Sequence, residues 1–246
     1  MAFCSSKVLG GSTNPIGQIA INKGGIEMYR FGGGMGYGFY LTNQMDYQIT
    51  TNYGSFNELI PSYLLGFHKA LNSDFEIGVE ARNGHLLTLK SENTQGSTCD
   101  FNDAYFMVDY SLNHNADLSN QRFTINAQMG LGLTYFRSKY FTVNTKTKEI
   151  DKIWATLGYN GELTSIKDQA NKQAAIIGSI GFNFGYRLSN TINIYWETTT
   201  NISTSNKMSG NLFKRSWIPP DSYFMSSLGI YFRLGSRKGQ LGCPKF

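Results

Sequence analysis

Apolar residues recur at every second position along most of this chain, the period of a strand with one apolar face. From Arg30 to Leu41, Phe31, Met35, Tyr37, Phe39 and Leu41 hold one parity, and Gly32, Gly34, Gly36 and Gly38 hold the other. Met45, Tyr47, Ile49 and Tyr53 alternate with Asp46, Gln48, Thr50 and Asn52; Phe75, Ile77, Val79 and Ala81 alternate with Glu76, Gly78, Glu80 and Arg82. The pattern is weaker over 61–71, returns at 106–112 and is longest at 123–135. Alternation at 176–188, 192–197 and 228–234 completes nine clear strands. The longest exceed the usual globular strand and reach the length that crosses a membrane.

Short connections at 42–44, 72–74, 113–120 and 189–190 alternate with longer ones near 57–60, 90–103, 137–173 and 206–222. In an up-and-down barrel the short set should mark the periplasm and the long set the cell surface. On that rule the strand from Arg30 runs toward the periplasm, and the last strand leaves the C-terminus there. Single-chain bacterial barrels have even strand numbers, so a weak strand at 13–23 brings the expected total to about ten, with eight as the fallback. The expected fold is all-β, an antiparallel transmembrane up-and-down barrel. It divides into an N-terminal segment with the weak first strand (1–25), the main barrel (26–235) and a periplasmic tail (236–246). At this length, 137–173 should be a hairpin extension or a binding lid rather than a structureless loop.

Composition sharpens this reading. Charged residues make up 16% of the 246 residues, against about 25% in an average soluble domain. Strand and turn formers replace them, including 27 Gly, 15 Tyr and 17 Phe. So many glycines on the polar parity suit a narrow lumen, where they make room for facing side chains; a soluble sandwich or lipocalin-like barrel would not need them. No apolar run reaches the roughly 18 residues of a membrane helix, which leaves spanning by strands open. The net charge of +5 comes from dispersed basic residues rather than a stripe, which argues against nucleic-acid binding. Cys4, Cys99 and Cys243 are too far apart for a zinc or redox motif. Cys4 and Cys243 could pair in an oxidising compartment if the chain ends meet, or all three thiols could stay unpaired.

The closing residues Ser227, Gly229, Phe232 and Leu234 form a pattern of polar residue, glycine, aromatic and hydrophobic. Here the chain resembles the OmpA and OmpX type of small outer-membrane β-barrel, and the tail after Gly235 is similar to that of Bacteroidota barrels. The resemblance implies a Gram-negative outer membrane, surrounding lipids as partners, and recognition of the last strand by the barrel-assembly machinery during biogenesis.

The inward parity gathers Asp46, Glu76, Glu80, Asp109 and Glu197 with Arg82, Arg187 and Arg233, and with Arg30 nearer the outer end. Unpaired charges in a partly desolvated lumen are costly, so these should pair and close it; a charged channel constriction is the functional alternative. No spacing suggests a metal site or a cofactor. Of the three histidines, His68 points inward, His85 outward, and His114 falls in a short turn; none has an evident catalytic partner. The expected function is non-enzymatic: a structural or accessory subunit of a cell-envelope complex that binds protein partners. The alternatives are a small porin with a charged lumen and an outer-membrane lipid-modifying enzyme.

Overall fold

The structure is a computed structural model and describes residues 26–41, 60–72, 74–89, 94–113, 122–144, 146–147, 149–158, 174–210 and 221–237. It contains nine strands: β1 (Ile26–Tyr40), β2 (Ile60–Ala70), β3 (Phe75–Leu89), β4 (Gln95–Ser111), β5 (Phe123–Val143), β6 (Ile150–Gly158), β7 (Ala174–Arg187), β8 (Ile192–Ser203) and β9 (Ser222–Arg237). Eight of them close an antiparallel barrel in the order β1–β2–β3–β4–β5–β7–β8–β9, with β9 returning to β1. The ninth, β6, pairs with the upper part of β5 from Arg137 to Val143, where β7 has already ended.

Eight is the fallback number, not the expected ten. The postulated strands at 13–23 and 45–56, with the turn at 42–44, lie outside the described residues. The direction assigned to the Arg30 strand is corrected. Since β1 is antiparallel to both β2 and β9, it starts at the end of the short turns and runs to the end of the long connections. Two regions expected as loops are strand: β4 begins at Gln95, and 137–158 is the upper half of β5 followed by β6. Of the two readings of 137–173, the hairpin extension is therefore the one found over 137–158, while 159–173 lies outside the described residues.

Local chemistry explains the tight ends. At 71–74 the Asn72 side-chain oxygen accepts from the amides of Asp74 and Phe75, both at 2.8 Å. At 188–191 the Ser189 hydroxyl does the same for Thr191 and Ile192. Such side-chain caps fix the turn and with it the register of the flanking strands. The β5–β6 hairpin turns on Asn144 in the same way, its oxygen accepting from the Lys146 amide at 2.9 Å.

The outside is the apolar surface. Met35, Leu65, Val79, Phe106, Leu131, Leu133, Ile176, Ile180, Leu228 and Ile230 are all exposed, Leu131 by 66%. Aromatics border this belt: Tyr37, Tyr63 and Tyr135 toward the long-connection end, and Phe75, Phe123, Tyr186 and Phe232 toward the short-turn end. A continuous apolar surface of this size is unfavourable in water and matches a lipid-facing band between aromatic girdles. Inside, the small residues have a specific use. The Tyr195 ring lies across β1 and β9 and stacks on Tyr231 at 4.0 Å. A Cβ on Gly34 would come within 2.7 Å of the Tyr195 hydroxyl, and one on Gly36 would run into the backbone of Ser226.

Candidate functional site

The lumen is filled in layers. Nearest the short-turn end, Arg30 of β1 bridges Asp109 at 2.6 Å and Glu76 at 3.1 Å, while its guanidinium lies over Tyr231 at 4.4 Å. Above it the His68 ring sits between Asp109 and Glu80, each 3.2 Å from a ring nitrogen, with Tyr231 edge-on. In the next layer Arg82 reaches Glu80 at 2.8 Å and Glu197 at 3.0 Å. The same guanidinium donates to Ser179, Thr199 and Asn201 at 3.2, 3.1 and 2.9 Å and stacks over Tyr105. Higher still, Asp103 accepts from the hydroxyls of Tyr105 and Tyr223.

These side chains come from β1, β2, β3, β4, β7, β8 and β9, because inward positions of a narrow barrel converge on its axis. Glu80, Arg82, Asp103, Asp109 and Glu197 are each at most 3% exposed. Charges withdrawn this far from water need partners, and the alternation of carboxylate and guanidinium supplies them. Donor atoms of His68, Glu76 and Asp109 lie within 4.8 Å of one another, a spacing that would suit a cation; the Arg30 guanidinium already supplies the positive charge there.

The structure brings Arg30, Glu76, Glu80, Arg82, Asp109 and Glu197 together. Arg233 lies next to Arg30 in register, and with the Asn193 amide turned so that its oxygen faces the guanidinium it donates to that oxygen at 3.0 Å. Arg187 stands opposite Asn193 near the short-turn end. Asp46, Cys4, Cys243 and His114 lie outside the described residues. Ser227 points inward and is buried, while Phe232 and Leu234 point outward on the last strand, and Gly229 adjoins the Tyr195 ring. Sequence reasoning missed Asp103, Tyr105, Tyr223 and the hydroxyl and amide partners of Arg82. Parity alone finds Asp103, since it lies six residues from Asp109 on β4.

Above the charged layers the lumen becomes apolar, with Leu86, Cys99, Phe101, Phe136, Ile177 and Met225 in one cluster. Residues 204–210 fold over it as a cap. Met208 is fully buried there. Its carbonyl accepts from the Tyr40 hydroxyl, and the Lys207 carbonyl accepts from Ser138, both at 2.5 Å. Gly210 takes the left-handed conformation, φ 74°, which a side chain would strain. Asp221 ties the cap down by accepting from the Ser209 amide at 3.0 Å.

Burial pushes the Asp221 carboxyl up to about 6, against the pull of the Ser209 hydrogen bonds and the Lys207 charge. A folded-state value above the unfolded one means that the closed cap is most stable below about pH 4 and loses that advantage as pH rises through 6. Amide exchange of Met208 and Ser209 should therefore be slower at pH 5 than at pH 7.5 after correction for intrinsic rates, by about 1–1.5 kcal/mol of opening free energy. Asp221→Asn should flatten the difference; an unchanged pH dependence in that variant would refute the assignment to Asp221.

No family model and no curated protein matches the chain. Among solved structures, it is similar to Ail, the attachment invasion locus protein of Yersinia pestis, at 8% identity and a TM-score of 0.47, over 85% of this chain and 99% of that one. The outer membrane protein OprG from Pseudomonas aeruginosa aligns at 9% identity and a TM-score of 0.45, over 86% and 98%. Neisserial surface protein A aligns at 8% identity and a TM-score of 0.43, over 85% and 99%.

Proposed function

We propose that the chain is a non-enzymatic outer-membrane β-barrel and a structural or accessory subunit of a cell-envelope complex. The short-turn end and the C-terminus face the periplasm in this reading, and the long connections face the cell surface. The membrane assignment is supported by the apolar exterior between aromatic girdles. The subunit assignment is carried by one observation, the β5–β6 hairpin. Among the described strands β6 pairs only with β5, so among them its other edge is left unpaired, and Ile150, Ile153 and Trp154 of this strand are about half exposed. Open apolar edges are templates for pairing with another chain.

The packed lumen weighs against the porin alternative, because an aqueous path would wet the heads of Glu80, Arg82 and Glu197. His68, on which an enzyme reading would lean, is fully buried between Glu80 and Asp109, a setting suited to pairing rather than to attack on a lipid.

Extraction in mild detergent should give a particle much heavier than the 27.5 kDa chain, and Ile153→Asp with Trp154→Asp should release the partners while the barrel stays folded. A solitary barrel, or a complex indifferent to both changes, would overturn the subunit reading. For assembly, Phe232→Ser with Leu234→Ser should lower membrane yield several-fold, as expected if outward residues of the closing strand are what the assembly machinery reads. Unchanged yield would remove the assembly-signal assignment.

A further inference from the structure

Among the described residues, the apolar belt of the barrel exterior is indented at β3 and β4, below a charged row. Ala81 and Ala104 face each other across β3 and β4, where the neighbouring belt positions carry large side chains. They floor a groove of about 410 Å³ walled by Phe31, Leu65, Phe67 and Val79, a volume within the range of small-ligand sites. One step up the same strands, Asn83 donates to Asn102 at 2.7 Å, forming a polar lip. One step further, His85, Asp100 and Arg137 stand side by side on three adjacent strands, and Lys139 follows on β5. His85 contacts Asp100 at 2.5 Å, and Arg137 and Lys139 are close enough to act on the Asp100 carboxylate. One acid thus faces two permanent cations and an imidazole.

Four residues of strand separate the groove floor from this row, roughly 10–14 Å once tilt is allowed for. That is the reach from an upper acyl segment to its headgroup phosphate. Resting on the membrane reading above, we infer that this face of β3, β4 and upper β5 binds a phosphate-bearing acyl lipid, one chain lying over Ala81 and Ala104 and the phosphate lying against Arg137 and Lys139. Asp100 serves to orient His85, and the two cations outnumber this one carboxylate, so the row favours a headgroup of net negative charge over a zwitterionic one.

The test uses the full chain in mixed micelles with equal phosphatidylglycerol and phosphatidylcholine, and counts retained lipid by native mass spectrometry. The wild type should keep the anionic lipid about tenfold over the zwitterionic one, and millimolar inorganic phosphate should not compete it off. Arg137→Gln with Lys139→Gln should abolish the preference while total retained lipid changes little. Ala104→Leu should lower retention of both lipids several-fold, with folding checked by heat-dependent mobility on a gel. Equal retention of the two lipids by the wild type, a preference unaltered in the double variant, or displacement by free phosphate would overturn the inference. A chain that enters vesicles without headgroup preference refutes this site alone; one that enters no vesicle refutes the membrane reading with it.

Discussion

Arg82→Met should cost the barrel about 3–5 kcal/mol of stability, the range for breaking a buried ion pair from one side. The guanidinium lies between Glu80 and Glu197 and donates to three further side chains from β7 and β8. Its loss leaves two carboxylates facing each other where both are at most 3% exposed, and strips donors from Ser179, Thr199 and Asn201. The check is the urea midpoint of refolding in micelles or vesicles, read with the barrel's heat-dependent gel mobility. Adding Glu80→Gln and Glu197→Gln to Arg82→Met should recover part of the loss, because the repulsion goes even though the hydrogen bonds do not return. A shift below about 1 kcal/mol would put the site in the class of solvated surface pairs and reopen the lumen to water, and with it the channel alternative.

The layers around Arg82 also show where the sequence stopped being legible. Within the belt each strand is apolar outside and polar inside, so parity alone identifies Glu80, Arg82, Asp109 and Glu197 as inward residues. Above the belt the polarity inverts. On β4 the inward residues become Phe101 and Cys99 while Asn102 and Asp100 face out, and on β5 Phe136 points in while Arg137 and Lys139 point out. The strands continue, but the apolar parity changes sides as the solvent changes from lipid to water. An alternation count therefore ends at the membrane boundary and takes the upper halves of β4 and β5 for loops. Residues 45–56, whose period of two is as clear as that of β1, lie outside the described residues, and β1 pairs directly with β2. Which cations meet which carboxylates was out of reach for another reason. Parity gives the wall a side chain leaves from, whereas the partner across the lumen depends on stagger and closure.

The polarity inversion gives the membrane reading its sharpest test. Leu131 and Asn102 are both exposed, on neighbouring strands, and a few residues apart in height. In water, Arg at either position would be nearly neutral, since surface substitutions away from special features stay within about 0.5 kcal/mol. In a bilayer the two separate. Leu131 is centred in the belt between Phe123 and Tyr135 on β5, where an arginine should cost about 2–4 kcal/mol. Asn102 sits at the upper edge, level with Tyr135, where the cost should fall to about 0–1 kcal/mol. Leu131→Arg and Asn102→Arg, each titrated with urea during reversible folding into phospholipid vesicles, should therefore differ by about 2–3 kcal/mol. Equal effects would mean that the belt does not face lipid, and the exposed Leu, Ile and Phe side chains would then need a protein cover instead.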